Sequence, residues 1–228
     1  MPTRLRPKGP LAAAAILVGD PGRSLLLAQE LLEEPKMSNH ARGLWGYSGR
    51  AASGEELTIQ ATGMGGPSAA LVLADLAKLG VRRAVRVGTC AGLDARARLG
   101  ELLLPVGAVA IGGSAASFGQ DPGSVVTPDP ALLEELRSEL GSEARAVTVA
   151  SLDTMPADPA EVPADVVAAD MQTVAVLARG RELGIAVAGV LIAGEVGGEV
   201  LPDEDLEAAA IRAGKAAART LSNPKVEG

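Results

Sequence analysis

Short apolar segments alternate with helical segments along this chain, and the changes fall at turns rich in glycine and proline. The first apolar segment, residues 11–18, is too short to cross a membrane and stops at a Gly-Asp-Pro-Gly turn, as a buried strand does. Residues 23–34 follow with leucines at helical spacing, which predicts an amphipathic helix. Because alternating strands and helices pack as layers, the pattern predicts an α/β sandwich with a parallel or mixed sheet.

The same criteria assign the rest of the chain. Further strands are predicted at residues 56–62, 84–87, 101–111, 145–150 and 185–193, with two strands broken near residues 105–107 as the alternative for the segment 101–111. Further helices are predicted at residues 67–79, 129–140, 166–183 and 204–221. No stretch has the length of a linker, so residues 1–228 are expected to form a single domain.

Composition excludes several classes of function. Trp45, Tyr47 and Phe118 are the only aromatic residues, which argues against binding through rows of stacked bases. The formal net charge of −7 argues against a general nucleic-acid surface. With so few aromatic residues, the core is expected to consist of Ala, Val, Leu and Ile side chains.

The chain has one cysteine, Cys90, and one histidine, His40. This rules out an internal disulfide and a histidine-rich metal site. No signal-peptide cleavage motif follows the first apolar segment, so a cytoplasmic protein without membrane or nucleic-acid partners is expected. A nucleophilic Cys90–His40 pair is a minor alternative, because a lone cysteine is more often a small buried apolar residue.

Two turns place an arginine beside glycines. In Gly19-Asp20-Pro21-Gly22-Arg23, a strand leads into a helix, whose free backbone amides and nearby guanidinium attract anions. In Arg86-Val87-Gly88-Thr89, an arginine lies at the end of a buried strand, where α/β proteins bind ligands and where an unpaired charge is costly. The structural alternatives are a plain turn with a solvated Arg23 and an ion pair for Arg86.

Two further segments are weaker signals. Residues 62–68, Thr-Gly-Met-Gly-Gly-Pro-Ser, form a glycine-rich turn that admits a ligand against the backbone, although many strand-to-helix turns look similar. Residues 39–47 contain His40, Arg42, Trp45 and Tyr47. Their structural alternative is a surface loop or a strand edge whose aromatic side chains, Trp45 and Tyr47, cover the core.

In this order and spacing, the four segments resemble the nucleoside phosphorylase family, which includes bacterial hexameric purine nucleoside phosphorylases and uridine phosphorylases. The likeness runs from about Leu17 to the final helix. It implies a three-layer α/β/α sandwich with a central mixed sheet. It also implies phosphorolysis, in which phosphate attacks C1′ of a ribonucleoside and the free base departs. Phosphate is the co-substrate, and no cofactor or metal is implied.

The resemblance assigns residues to both substrates. Phosphate would be held by Gly19, Arg23, Arg86 and Thr89, and by Arg42 from a neighbouring subunit. The nucleoside would lie against Met64, Met155, Met171, Gln172 and Glu195, with Glu195 and Arg86 as the catalytic residues. Ser151 and Asp153 match a Ser-x-Asp motif before the base pocket, where Asp153 is expected to be structural. The implied assembly is a homo-oligomer built from dimers, with the hexamer as one form.

Several positions depart from the family pattern. Gln172 stands where the family has a ribose-binding glutamate, and Met155 stands where it has an aromatic residue that stacks on the base. Glu195 stands where the purine enzymes have an aspartate, and the residue before it is Gly194 instead of serine. Arg4 or Thr3 stands where a neighbour's histidine is expected. Because Glu195 still offers a carboxyl group to a purine nitrogen, the favoured activity is purine nucleoside phosphorolysis.

Two alternatives remain open: a uridine-type phosphorylase, although its Gln-x-Arg pattern is lacking, and a catalytically weak or inactive relative that binds phosphate or nucleoside. Hydrolysis by water is disfavoured, since it has no use for arginines that converge on an anion.

Overall fold

The structure is a computed structural model that describes residues 4–93, 96–155 and 162–222. Its strands are β1 (Ala14–Val18), β2 (Leu32–Asn39), β3 (Gly46–Ala51), β4 (Glu56–Ala61), β5 (Arg83–Gly92), β6 (Leu102–Ala110), β7 (Val125–Val126), β8 (Ala144–Ser151), β9 (Val166–Asp170), β10 (Ala186–Val196) and β11 (Glu199–Val200). Its helices are α1 (Pro21–Leu31), α2 (Gly65–Lys78), α3 (Pro130–Leu140), α4 (Thr173–Leu183) and α5 (Asp203–Ser222).

The strands form one mixed sheet in the order β11-β10-β6-β8-β9-β5-β1-β4-β3-β2, with β7 beside β6. Strand β1 pairs in parallel with β4 and β5, and β5 pairs in parallel with β10. Because β5 also pairs with β9, the strands β5, β9, β8, β6 and β10 close into a ring. The expected α/β fold with a central mixed sheet is confirmed, and the ring is an additional feature.

Apolar side chains alternate between two cores on opposite faces of the sheet. In β1, Ile16 and Val18 belong to the core that contains residues of α1, α3 and α5, whereas Ala15 and Leu17 belong to the core of α2 and α4. This period of two is what a strand buried on both faces requires. Helices therefore cover both faces, and the carboxyl ends of the parallel strands β1, β4, β5 and β10 meet at one edge.

The predicted helix at residues 166–183 was wrong in its first part. Residues Val166–Asp170 form β9, which pairs with β8 and β5, and the helix α4 begins only at Thr173. Tertiary pairing decides the conformation here, because valine favours strands and alanine is compatible with pairing between two neighbours. Asp170 then accepts hydrogen bonds from the backbone N–H and hydroxyl of Thr173, which starts the helix.

Other differences are smaller. The helix predicted at residues 23–34 ends at Leu31, and the chain continues directly into β2, which was not predicted. The charged residues and Pro35 of β2 are exposed on an edge strand, and such residues hide the apolar signal of a strand. The segment 101–111 contains one strand, β6, with an irregular register between Pro105 and Gly107. Within the described ranges, no helix is long and apolar enough to cross a bilayer.

Candidate functional site

A cavity of about 550 Å³ opens at the edge of the sheet where β1, β4, β5 and β10 end. All the predicted site residues except Arg42 line it: Gly19, Arg23, Met64, Arg86, Thr89, Met155, Met171, Gln172 and Glu195. Gly19, Arg23, Arg86 and Thr89 form what we call the anion end. Gly19 and Arg23 follow β1, whereas Arg86 and Thr89 lie within the adjacent parallel strand β5, so strand pairing is what brings them together.

Arg86 is buried with free hydrogen-bond donors. Its side chain is 7% exposed, and Nη2 donates to Oδ2 of Asp170 at 2.7 Å. Within the part of the chain that the structure describes, Nε and Nη1 have no hydrogen-bond partner. A buried guanidinium with unused donors is unfavourable by itself, and an anion that accepts from Nε and Nη1 relieves that cost.

Gly88 provides the space in which the Arg86 side chain lies. A Cβ atom at residue 88 would fall 1.2 Å from Nη1 of Arg86, a distance that no pair of unbonded atoms tolerates. Any side chain at residue 88 would therefore displace the guanidinium. This role of Gly88 was not predicted from the sequence, although the Arg-x-Gly spacing along an extended strand places both residues on the same face.

Arg23 brings a second guanidinium to the anion end. Asp20 accepts a hydrogen bond from the backbone N–H of Arg23 at 2.8 Å and caps α1. Burial lowers the pKa of Arg23, the Asp20 carboxylate acts in the opposite direction, and repulsion from Arg86 lowers it further. Arg23 and Arg86 line the same cavity, and two cations in one cavity favour an anion with more than one negative charge.

Asp170 fixes the orientation of Arg86. This buried carboxylate accepts hydrogen bonds from Arg86, from Ser151 Oγ at 2.6 Å and from Thr173 Oγ1 at 2.7 Å. Asp170 is the second residue whose role was not predicted from the sequence. The signal was available, because an acidic residue at the end of an apolar run needs a partner for the same reason that Arg86 does.

Gln172 lines the cavity, and its side-chain amide contacts a loop. Its Nε2 donates to the carbonyl oxygens of Gly63 at 2.5 Å and Gly65 at 3.2 Å, and Oε1 accepts from Thr62 Oγ1 at 3.2 Å. We call residues 62–65 the glycine loop. The expectation that Gln172 faces sugar hydroxyls stays a prediction, and these contacts already engage both hydrogens of its amide.

The remaining wall of the cavity is apolar and lacks aromatic side chains among the described residues. Met155 and Met171 are half-buried, whereas Met64 is 83% exposed at the opening. The flexible, polarisable methionine side chain adapts to flat ligands without a defined stacking geometry. Glu195 is exposed near the end of β10 and supplies a carboxylate on this side. Phe118 lines a separate small cleft behind Met171.

Comparison with known proteins identifies the family. The model of the phosphorylase superfamily matches residues 13–223. This chain belongs to the phosphorylase superfamily. It is 37% identical over 102 residues to the DeoD-type purine nucleoside phosphorylase of Oceanobacillus iheyensis, which is 44% of this chain and 43% of that protein. The corresponding enzyme of Clostridium beijerinckii is 34% identical over 103 residues, 45% of this chain and 43% of the relative. The matches thus span less than half the length of these relatives.

Arg42 of this superfamily member lies apart from the cavity. It borders a depression of about 520 Å³ that is lined by Arg4, Arg6, Lys8, His40 and Ala41. Its backbone is left-handed, with a φ of 61°. The expectation that Arg42 reaches a neighbouring subunit stays a prediction. Of the two residues considered in place of a neighbour's histidine, Arg4 lies in this depression and Thr3 lies outside the described residues.

Cys90 and His40 do not form a pair. Cys90 is buried at the cavity wall, where its thiol donates to the carbonyl oxygen of Ile192 at 3.5 Å and burial raises its pKa. His40 lies in the separate depression beside Arg42. A thiol whose pKa is raised carries little thiolate at neutral pH, so Cys90 is a poor nucleophile.

Asp153 lies outside the lining of the cavity, in agreement with a structural role. Its carboxylate accepts hydrogen bonds from the backbone N–H of Ser114 at 2.9 Å and from the Ser114 hydroxyl. These bonds hold the pKa of Asp153 below its usual range, and the bond from the Ser114 hydroxyl has the largest effect. Among the described residues, no group of three or more His, Cys, Asp or Glu side chains is arranged to hold a metal ion.

Proposed function

We propose that this protein catalyses the phosphorolysis of a purine ribonucleoside, with the free base and ribose 1-phosphate as products. The observation that carries the proposal is the anion end, where a buried Arg86 keeps two donors without a partner among the described residues and Arg23 adds a second cation. Phosphate has the charge and the acceptor atoms that these donors match.

In the proposed reaction, a phosphate oxygen bonds to C1′ of the sugar while the bond from C1′ to the base nitrogen breaks. The electron pair of that bond goes to the base. The sugar passes through a state with positive character, which the phosphate dianion held by Arg86 and Arg23 stabilises. In this step Glu195 acts in its protonated form: the proton of its carboxyl group goes to a nitrogen of the departing purine and leaves the carboxylate behind, and its position at the end of β10 is compatible with that role.

Two observations support a purine as the base. The matching relatives carry the name purine nucleoside phosphorylase. The wall formed by Met64, Met155 and Met171 is apolar, and Glu195 is a carboxyl group on the same side of the cavity. A uridine-type activity has no comparable support from the residues that line the cavity.

The proposed assembly is a homo-oligomer in which Arg42 contributes to the phosphate site of a neighbouring subunit. Its support is the concentration of cations around Arg42 in a chain whose net charge is −7. Light scattering tests the assembly. A monomer at micromolar concentration would contradict it.

The activity is tested by incubating the protein with inosine, adenosine, guanosine, uridine and methylthioadenosine, with and without phosphate. We expect phosphate-dependent release of base from at least one purine nucleoside. In Arg23→Gln, the KM for phosphate should rise by about tenfold or more because a charged donor is lost. Arg137→Gln is the matched control, since Arg137 is an exposed residue of α3.

Three outcomes would contradict the proposal: no release of base, release that is independent of phosphate, and release from uridine alone. A phosphate-binding relative without turnover is a second candidate, and the contacts of Gln172 and the lack of an aromatic wall favour it. Calorimetric binding of phosphate together with no release of base would support that candidate.

A further inference from the structure

We infer that Gln172 is a positioning residue that locks the glycine loop against the start of α4 and does not itself bind the sugar. The kinetic part of this inference rests on the proposed function, whereas the structural part does not. The structural part depends only on the hydrogen bonds that the Gln172 side chain makes.

The first argument is that both hydrogens of the Gln172 side-chain amide are engaged. Gln172 is 4% exposed. An amide nitrogen has two hydrogens, and here they are directed to the carbonyl oxygens of Gly63 and Gly65. The amide oxygen faces the hydroxyl of Thr62, which also lies 3.0 Å from the carbonyl oxygen of Val18. A sugar hydroxyl that accepts from Nε2 would have to compete with the two glycine carbonyl oxygens.

The second argument is that the glycine loop needs an anchor. Gly63 and Gly65 have φ values of 74° and 80°, in the left-handed region that glycine adopts readily. The same freedom makes the loop costly to order, because glycine loses more backbone entropy than other residues. Two hydrogen bonds from one buried amide hold both glycine carbonyls at once and so select one conformation of the loop.

The third argument is that the task requires a neutral amide. Both loop contacts of Nε2 end on carbonyl oxygens, which accept hydrogen bonds and do not donate them. A carboxylate at residue 172 would face these two oxygens without a hydrogen to offer. It would also lie two residues from Asp170, which already carries a buried negative charge. Glutamate has nearly the same shape but cannot perform this task.

A consequence follows for the two ends of the cavity. Asp170 holds Arg86 at the anion end, and Gln172 holds the glycine loop, which presents Met64 at the opening. Met171 lies between them and lines the cavity. The segment 170–172 therefore sets both ends, and loss of the Gln172 contacts should disturb the binding of nucleoside while that of phosphate is retained.

The test uses Gln172→Glu and Gln172→Met, which keep the length of the side chain and remove the donors. Gln29→Glu and Gln29→Met are matched controls on an exposed position of α1. The first measurement is hydrogen–deuterium exchange of the glycine loop without substrate. We expect exchange to accelerate by about tenfold or more in both Gln172 variants and to stay unchanged in the Gln29 variants.

The second measurement is steady-state kinetics with inosine and 2′-deoxyinosine. In the Gln172 variants, the KM for nucleoside should rise by about tenfold, the KM for phosphate should change by less than about twofold, and both sugars should be affected equally. If Gln172 is instead a ligand of a sugar hydroxyl, Gln172→Glu will leave loop exchange unchanged and alter the ratio of the two activities. That result would overturn the inference.

The outcomes separate the inference from the proposed function. If the unmodified protein releases no base, the proposed function fails, while the exchange measurement still decides whether Gln172 anchors the loop. If both Gln172 variants fail to fold, Gln172→Asn provides the test, since it keeps the amide and withdraws it by one methylene from the carbonyl oxygens of Gly63 and Gly65. We expect loop exchange to accelerate in Gln172→Asn, and no acceleration would overturn the inference.

Discussion

At the scale of single residues, the anion end depends on the pair of Arg86 and Asp170. Both side chains are buried, and each provides the opposite charge that the other needs. When one partner of a buried pair is removed, the other remains as an uncompensated charge in a medium of low polarity. Asp170 should therefore influence both the stability of the fold and the orientation in which Arg86 meets an anion.

The first prediction is that Asp170→Asn weakens the binding of phosphate by about tenfold or more and lowers the free energy of unfolding by about 1–3 kcal/mol. The amide keeps the shape of the carboxylate but loses the charge that orients Arg86. Calorimetric titration with phosphate and unfolding in urea measure the two effects. Asp153→Asn is the control, because Asp153 is hydrogen-bonded outside the lining of the cavity. Equal phosphate affinity in Asp170→Asn and the unmodified protein would contradict the prediction.

The second prediction concerns Gly88, whose missing side chain leaves room for Arg86. Gly88→Ala should weaken phosphate binding by about tenfold or more, because the added Cβ would force the guanidinium out of position. Gly9→Ala is the control, since no heavy atom lies within 4 Å of a Cβ atom at that position. Unchanged phosphate affinity in Gly88→Ala would show that Arg86 does not need its present orientation.

At the scale of elements, the two ends of the segment predicted as one helix have different tasks. Strand β9 carries Asp170 to the anion end, and α4 begins where Asp170 accepts from Thr173. The junction between them contains Met171 and Gln172, and both line the cavity. The place where the continuous helix fails to form is therefore part of the candidate site.

The third prediction compares two helices that begin in the same way. Asp20 caps α1 and Asp129 caps α3, each through a hydrogen bond to a backbone N–H three residues later. Asp20→Ala and Asp129→Ala should each lower the free energy of unfolding by about 1 kcal/mol. Of these two helices only α1 starts at the cavity, so only Asp20→Ala should also change phosphate affinity. An equal change of phosphate affinity in both variants would contradict this view of α1.

At the scale of the whole molecule, the sheet closes on itself because β5 pairs with both β9 and β10. The closure brings residues from distant parts of the chain to one edge. It is supported elsewhere by Glu101, whose carboxylate accepts from Arg145 at 2.8 Å and links the segment before β6 to β8. Hydrogen bonding by Arg145 is the main reason that the pKa of Glu101 lies below its ordinary value.

The fourth prediction is that the free energy of unfolding decreases at acidic pH. The pKa values of Glu101 and Asp153 are lowered in the folded state. At pH values between these lowered pKa values and the unfolded-state pKa of about 4, the unfolded state therefore binds more protons than the folded state. The stabilisation that these two carboxylates provide is therefore fully present above about pH 5, and it decreases as the pH falls through their folded-state pKa values. Glu101→Gln should reduce the change of stability between pH 6 and 3, as measured by urea unfolding. An unchanged pH dependence would contradict the role of the Glu101–Arg145 pair.

Much of the anion end was predictable from the sequence. Gly19, Arg23, Arg86 and Thr89 follow short apolar runs, and parallel strands place their carboxyl ends at a common edge. The edge strand β2 was not predictable in the same way, because its exposed charges and Pro35 conceal its pairing with β3. The functional roles of the residues that line the cavity stay predictions that the experiments above test.

By itself, the sequence determined the alternation of strands and helices, the resemblance to a known family and the residues of the anion end. These depend on local periodicity and on turns formed by neighbouring residues. Only the tertiary structure decided that residues 166–170 form a strand, that Asp170 holds Arg86 and that Gln172 faces the glycine loop. The reason is physical: Gln172 and Thr62 are 110 residues apart in the chain, and Arg86 and Asp170 are 84 apart. The direction of a buried polar side chain is set by whichever distant partner can satisfy it.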